Sequence, residues 1–378
     1  MQSTQEPYQT INGQRISEVY RQRDFMHTCK VTIGSAFALT LLVLTSSCGG
    51  SGNSSGGTGG GSGPVGSGLY VTQVLAAFVP TVSSSIMRFS SDSNGSVSPS
   101  STVKGPAGVS FEGLAVDATG NLYVGGLLSG NNPATQGQLE ILVYAPGSNG
   151  MVNPTRTITG TATGLEGFTQ NSISGLAVDS SANVYVSSGL IKGGLVNPGI
   201  SVFPSTANGD VAPSNVITMA NIGTFTMGQI AVDSAGNVYV AATDPLAPGA
   251  ILIFAANSTG TVPPTNSITG SATMLDGIEG VAVDSEGNIY VSNVDGAGVF
   301  SIFEFSAGST GNVAPMRTIS GSATTMSALG NLAVDSAGNI YVLNDLNILK
   351  FSPTATGNVA PTATISSMFF ENFNIAVQ

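Results

Sequence analysis

From residue 69 onward, apolar and polar positions alternate in short bursts separated by turn-forming residues. The clearest burst is VAVDSEGNIYV at 281–291. Variants stand at 114–124 (LAVDATGNLYV), 176–186 (LAVDSSANVYV), 230–240 (IAVDSAGNVYV) and 332–342 (LAVDSAGNIYV). Each predicts a β-hairpin, because β-branched and aromatic residues flank a polar turn that usually carries Gly just before Asn. A glycine there takes the positive φ of a tight turn without steric cost. The aspartate opening each turn, Asp117, Asp179, Asp233, Asp284 and Asp335, is expected to bond the turn's backbone amides, a structural capping role.

Two further strand signals follow each hairpin. A third strand begins at Ile141, Ile200, Ile251, Ser301 and Ile348, and a fourth starts beside Pro154, Pro213, Pro264, Pro315 and Pro361. Proline suits an outermost strand, where no ladder amide is needed. The turn aspartates follow one another at 62, 54, 51 and 51 residues, a spacing that suits four-stranded propeller blades. The ends complete the count. FNIAVQ at 373–378 reads as a first strand, LYV at 69–71 as a second, and the stretches from Ile86 and Ser98 as the third and fourth. The expected fold is therefore all-β: a six-bladed β-propeller with four-stranded blades. Its ring is closed by the C-terminal strand joining the N-terminal blade, which removes exposed sheet edges.

The repeated GLAVDxxGNxYV phrase resembles the NHL-repeat propellers and, more distantly, the gluconolactonase-like six-bladed propellers. The similarity spans residues 69–378. It implies the architecture; function does not follow from it, since such folds host many activities.

Ahead of the propeller, VTIGSAFALTLLVLTSS at 31–47 is uncharged and apolar or small, and it ends at Cys48. It is short for a spanning helix and of the right length for a signal-peptide core. Small residues before a lone cysteine resemble the lipobox of bacterial lipoproteins, which implies lipidation of Cys48; an uncleaved membrane anchor is the alternative. Residues 1–25 read as an extension or a misassigned start, 26–47 as the lipoprotein signal peptide, and 48–68 as the lipidated cysteine with a Gly/Ser tether. Such a coil spans roughly 25 Å. Gly49 after the cysteine suits, by the same resemblance, outer-membrane sorting. The expected location is the cell envelope, lipid-anchored.

Composition narrows the chemistry. Only 8% of residues are charged and the net charge is −11, which argues against nucleic acid as a partner. The only histidine is His27 and the only cysteines are Cys29 and Cys48, all upstream of the propeller. Ser-His-Asp and Cys-His pairs are thereby ruled out in the propeller, as are imidazole and thiolate metal sites. The tyrosines at 70, 123, 185, 239, 290 and 341 share one strand position and are expected to pack in the core.

Oxygen ligands remain. Loops entering first strands and leaving second strands gather at one mouth of the channel. They supply Glu112, Asp276, Glu279, Asn331, Glu371 and Asn374, together with Asp244, Asn293, Asp295, Asn344 and Asp345. Such a set suits a hard cation such as Ca²⁺. The gluconolactonase-like resemblance implies a divalent metal there, for which Glu112, Glu279, Asn331, Asp244, Asp295 and Asp345 are the candidate ligands. The competing reading is a set of solvated loop charges. Two insertions, 125–138 and the stretch from Ser187, depart from the repeat and are expected to be long loops forming a partner-binding lip.

The reading that results is a non-enzymatic, envelope-anchored scaffold for an envelope protein or glycan. The alternative is a Ca²⁺-dependent lactonase or hydrolase.

Overall fold

The computed structural model describes residues 68–76, 82–128, 137–165, 173–192, 195–219, 226–244, 247–366 and 372–378. Cys48, the tether, Glu371 and most of the 125–138 insertion lie outside the described residues, so the lipobox and tether readings rest on the amino-acid sequence alone.

The described residues form six propeller blades of four antiparallel strands each, and in three of them a short segment from the next blade adds a parallel fifth strand at the outer edge. Blade 2 shows the plan, with strands Val109–Val116, Leu122–Leu128, Leu139–Tyr144 and Arg156–Ile158 running outward from the axis. Blades 3 to 6 repeat it with first strands Ile173–Val178, Thr226–Val232, Gly277–Val283 and Leu329–Val334. Blade 1 is assembled from both ends of the chain: Asn372–Val377 pairs with Gly68–Ala76, which pairs in turn with Val82–Ser90. The expected closure of the ring is the one observed.

A blade is apolar on both faces, so it cannot bury itself alone. Six apolar cores result, one at each junction between neighbouring blades. Each third strand ends in a large aromatic with almost no exposure: Phe89, Tyr144, Phe203, Phe254, Phe305 or Phe351. Truncating one to alanine would cost about 3–5 kcal/mol.

The links between third and fourth strands do more than turn. Each reaches back to the outer strand of the preceding blade and pairs with it in parallel. Gly95 meets Ile365, Gly150 meets Val103, Gly209 meets Ile158, Gly260 meets Ile217, Gly311 meets Ile268 and Gly357 meets Ile319. All six glycines have φ between 69° and 77°. A Cβ there would touch nothing, so it is the backbone conformation that calls for glycine. The residue before the glycine often adds a bond of its own: Asn94, Asn149 and Asn208 accept from the amides of Thr364, Thr102 and Thr157. Six such clasps bind the blades into a ring at its rim.

One expectation is corrected. The stretch from Ser187 is not an irregular loop. Val184–Lys192 and Leu195–Phe203 pair without interruption out to Lys192 and Leu195, because the hairpin register simply continues.

Candidate functional site

The two ends of the first strands do different work. At the hairpin end, each turn aspartate gathers donors into a closed network. Asp117 Oδ1 accepts from the amides of Thr119 (2.9 Å) and Asn121 (3.0 Å) and from the Thr119 hydroxyl (2.8 Å). Its Oδ2 accepts from Asn121 Nδ2 (2.8 Å) and from the Tyr123 hydroxyl (3.0 Å). The same carboxylate–tyrosine bond recurs at Asp179–Tyr185, Asp233–Tyr239, Asp284–Tyr290 and Asp335–Tyr341, at 3.1–3.3 Å. Burial alone would raise the Asp117 pKa, but the bonds from Asn121, Thr119 and Tyr123 outweigh it and hold the group below its ordinary value. Burial, with the charge of the neighbouring aspartate, pushes Tyr123, Tyr185 and Tyr239 up to about 12. The tyrosines therefore pack and bond at once. The constant interval of six residues from aspartate to tyrosine was the signal for this pairing.

At the opposite end, every first strand breaks register with its second strand at one place. An unpaired residue results, as in a β-bulge, and bulges re-aim side chains. The residues at these breaks are Glu112, Ser174, Gln229, Glu279, Asn331 and Asn374, one oxygen-bearing side chain from each blade. Ser174 and Gln229 escaped the sequence reading, because aligning the repeats shows the position but not the bulge.

These residues bond largely to the protein itself. Gln229 Nε2 donates to Asn374 Oδ1 at 3.1 Å. Blades 4 and 1 are opposite each other in the ring, so this bond crosses the channel. Asn374 Nδ2 donates onward to the carbonyl oxygen of Glu112 (2.6 Å), and its own amide bonds Thr72 Oγ1 (3.1 Å). Glu112 Oε2 accepts from the Ile173 amide at 2.9 Å. Asn331 Oδ1 accepts from the following amide, Leu332 N, at 2.8 Å. Burial drives the Glu112 pKa up to about 7, with the Ile173 amide offsetting part of the rise. Farther out in the same blade Glu140, also buried, is raised for the same reason.

Of the remaining mouth residues, Asp276, Asn293 and Asp295 line one cavity of about 560 Å³ in blade 5. Asn293 accepts from the Asp276 amide, and Asn344 accepts from the amides of Ser327 and Ala328, so both pin the loop entering their blade. Asp295 Oδ1 caps its own turn through the amides of Ala297 and Val299. Asp345 sits at a tight strand connection with φ 54°. Glu279 is exposed. Asp244 ends the second strand of blade 4, where only the backbone is described. Among the described residues, no three His, Cys, Asp or Glu side chains gather as a metal site would.

No protein-family model matches the sequence, and no curated protein matches it either. Among solved structures, a protein of unknown function from Bacteroides caccae is similar over 82% of this chain and 98% of its own, with TM-score 0.50 and 12% identity. A candidate 6-phosphogluconolactonase from Bacteroides uniformis is similar over 82% of this chain and 85% of its own, with TM-score 0.50 and 13% identity. At such identity the likeness extends to the propeller fold alone.

Proposed function

We propose that this protein is a non-enzymatic binding scaffold: a propeller of NHL-repeat type, held at the cell envelope by lipid on Cys48 and presenting a face to an envelope protein or glycan. The observation that carries the non-enzymatic part is the cross-channel bond from Gln229 to Asn374. Four of the six side chains at the register breaks, Gln229, Asn374, Glu112 and Asn331, bond one another or backbone, which favours a structural role for them over a catalytic one.

The competing reading is a Ca²⁺-dependent hydrolase. Its donors are chemically apt, being oxygens, but they fit the ion poorly. Glu112 has one oxygen on the Ile173 amide, and one oxygen of Asp295 is tied into its own turn.

The deciding experiment strips the full chain with chelator and follows its melting temperature as Ca²⁺ is returned. The scaffold reading expects no rise. A ligand at a hundredfold excess over Kd adds about 2.7 kcal/mol, so a rise lost in Glu112→Gln or Glu279→Gln would favour the hydrolase. The anchor is tested separately. Cys48→Ala should move the protein from the membrane to the soluble fraction, and retention on the membrane would favour an uncleaved anchor.

A further inference from the structure

Across each blade, the repeated tyrosine stands in register with one third-strand and one fourth-strand residue. In blade order the rows are Tyr70–Arg88–Ser101, Tyr123–Val143–Arg156, Tyr185–Val202–Asn215, Tyr239–Ile253–Asn266, Tyr290–Glu304–Arg317 and Tyr341–Lys350–Ala363. Blades 1, 2, 5 and 6 carry a cation in this row. Blades 3 and 4 do not.

Three of the four resident cations lie over the tyrosine of their row. Arg88 lies 5.8 Å from the centre of the Tyr70 ring, Arg156 lies 5.9 Å from Tyr123, and Lys350 lies 5.3 Å from Tyr341, all within cation–π reach. Three of the four reach carbonyls in the link of the following blade. Arg156 donates to Ala207 O (3.0 Å), Lys350 to Ser91 O (2.9 Å), and Arg317 to Pro353 O and Ala355 O while paired with Glu304. Counted back from the clasp glycine of each link, these carbonyls stand two or four residues before it. In blade 5 the clasp glycine is Gly311, so the equivalent carbonyls are those of Ser309 and Ala307.

Between blades 4 and 5, where the row offers only Ile253 and Asn266, a cavity of about 370 Å³ opens. Its walls include Tyr239, Asn266, Ala307 and Ser309, the same elements that hold a cation elsewhere, together with Glu286. Glu286 is exposed and is the sole acidic residue at its hairpin position: the other four turns carry Thr119, Ser181, Ala235 and Ala337 there. The junction between blades 3 and 4 also lacks the cation, but Ala235 stands where Glu286 would.

We propose that the groove between blades 4 and 5 is a binding site for an organic cation, a guanidinium or primary ammonium supplied from outside the chain. The cation lies over the Tyr239 ring, donates to the carbonyls of Ala307 and Ser309, and is balanced by Glu286. A planar guanidinium suits the site best, since it stacks on an aromatic face and forks between two acceptors.

The test titrates the purified full chain with methylguanidinium, with neutral methylurea and with a Gly-Arg-Gly peptide at constant ionic strength, following the amide resonances of Ala307 and Ser309. Saturable shifts are expected with both cations and none with methylurea. Asn266→Arg, which installs the resident cation of blades 2 and 5, should weaken binding at least about tenfold by occupying the site. Glu286→Gln should weaken it about threefold, as expected for an exposed charge pair. Equal affinities for methylguanidinium and the peptide would assign the site to a free cation; a tighter peptide would assign it to a partner's side chain. Unchanged affinity in Asn266→Arg, or no saturable shift below the concentration that unfolds the chain, would overturn the proposal. Should Asn266→Arg fail to fold, unchanged affinity in Glu286→Gln would do so. The site stands independently of the scaffold reading, which the Ca²⁺ titration tests.

Discussion

Glu112 lies midway along the innermost strand of blade 2 and Asp117 just beyond its end, and their carboxyl groups are treated in opposite ways. Asp117 receives five hydrogen bonds, from Thr119, Asn121 and Tyr123, and is held ionised. Glu112 receives the Ile173 amide and is held near neutrality. Burial opposes ionisation at both and is the leading cause of the rise at Glu112, whereas at Asp117 the hydrogen bonds from Asn121, Thr119 and Tyr123 outweigh it. The contrast extends around the ring. Four other hairpins repeat the Asp, Asn and Tyr of the Asp117 arrangement, while the six register breaks share a backbone irregularity and carry Glu, Ser, Gln, Glu, Asn and Asn. A network whose every donor is specified leaves little room for substitution. A bulge specifies only a backbone path, and its side chain is free to vary.

The sharpest way to separate the two ends is by pH. For Glu112 the folded pKa lies above the unfolded value. The folded state therefore binds more protons between pH 4.5 and about 7, and stability falls as pH rises through that window. Glu112→Gln keeps the acceptor for Ile173 and removes the charge. It should stabilise the protein at pH 8 by up to about 3 kcal/mol and have almost no effect at pH 4, as read from urea unfolding. An effect equal at both pH values would mean that the carboxyl is hydrated, and the contrast with Asp117 would fail.

At the hairpin end the expected sign is reversed. Asp284→Ala orphans the amides of Glu286 and Asn288 together with the Tyr290 hydroxyl, and should destabilise by about 2 kcal/mol. The same loss is expected at Asp233 and Asp335 if the repeat is energetically as uniform as it is geometrically. The smallest effect belongs to the cross-channel bond. Gln229→Ala should cost no more than about 1 kcal/mol, visible as a small shift of the urea midpoint with an unchanged slope. A changed slope would show that the bond couples the two halves of the ring in unfolding.

The architecture was legible because the hairpin phrase recurs with its turn chemistry intact, and because FNIAVQ and LYV are recognisable halves of one blade. The Asp–Tyr bond was half legible: residue types and interval were visible, but packing alone was assigned to the tyrosines. The clasp glycines stood in plain view, yet nothing local distinguishes a link that turns from one that pairs with the neighbouring blade. The mouth residues were the least legible. Asn293 and Asn344 have the composition of ligands and serve as loop pins, a distinction set by which backbone amides lie within reach.

What the sequence determined alone is the local and periodic part: the hairpins, the strand order and the number of blades, written in residues a few positions apart, and the pairing of the two ends, which follows from each end reading locally as part of one blade. The tertiary structure decided which oxygens meet. Gln229 finds Asn374 across 145 residues of chain, Arg156 finds Ala207 in the next blade, and Asn266 leaves a groove where Arg317 fills one. These outcomes depend on distances across the ring and between blades, and no spacing along the chain encodes such a distance until the ring has closed.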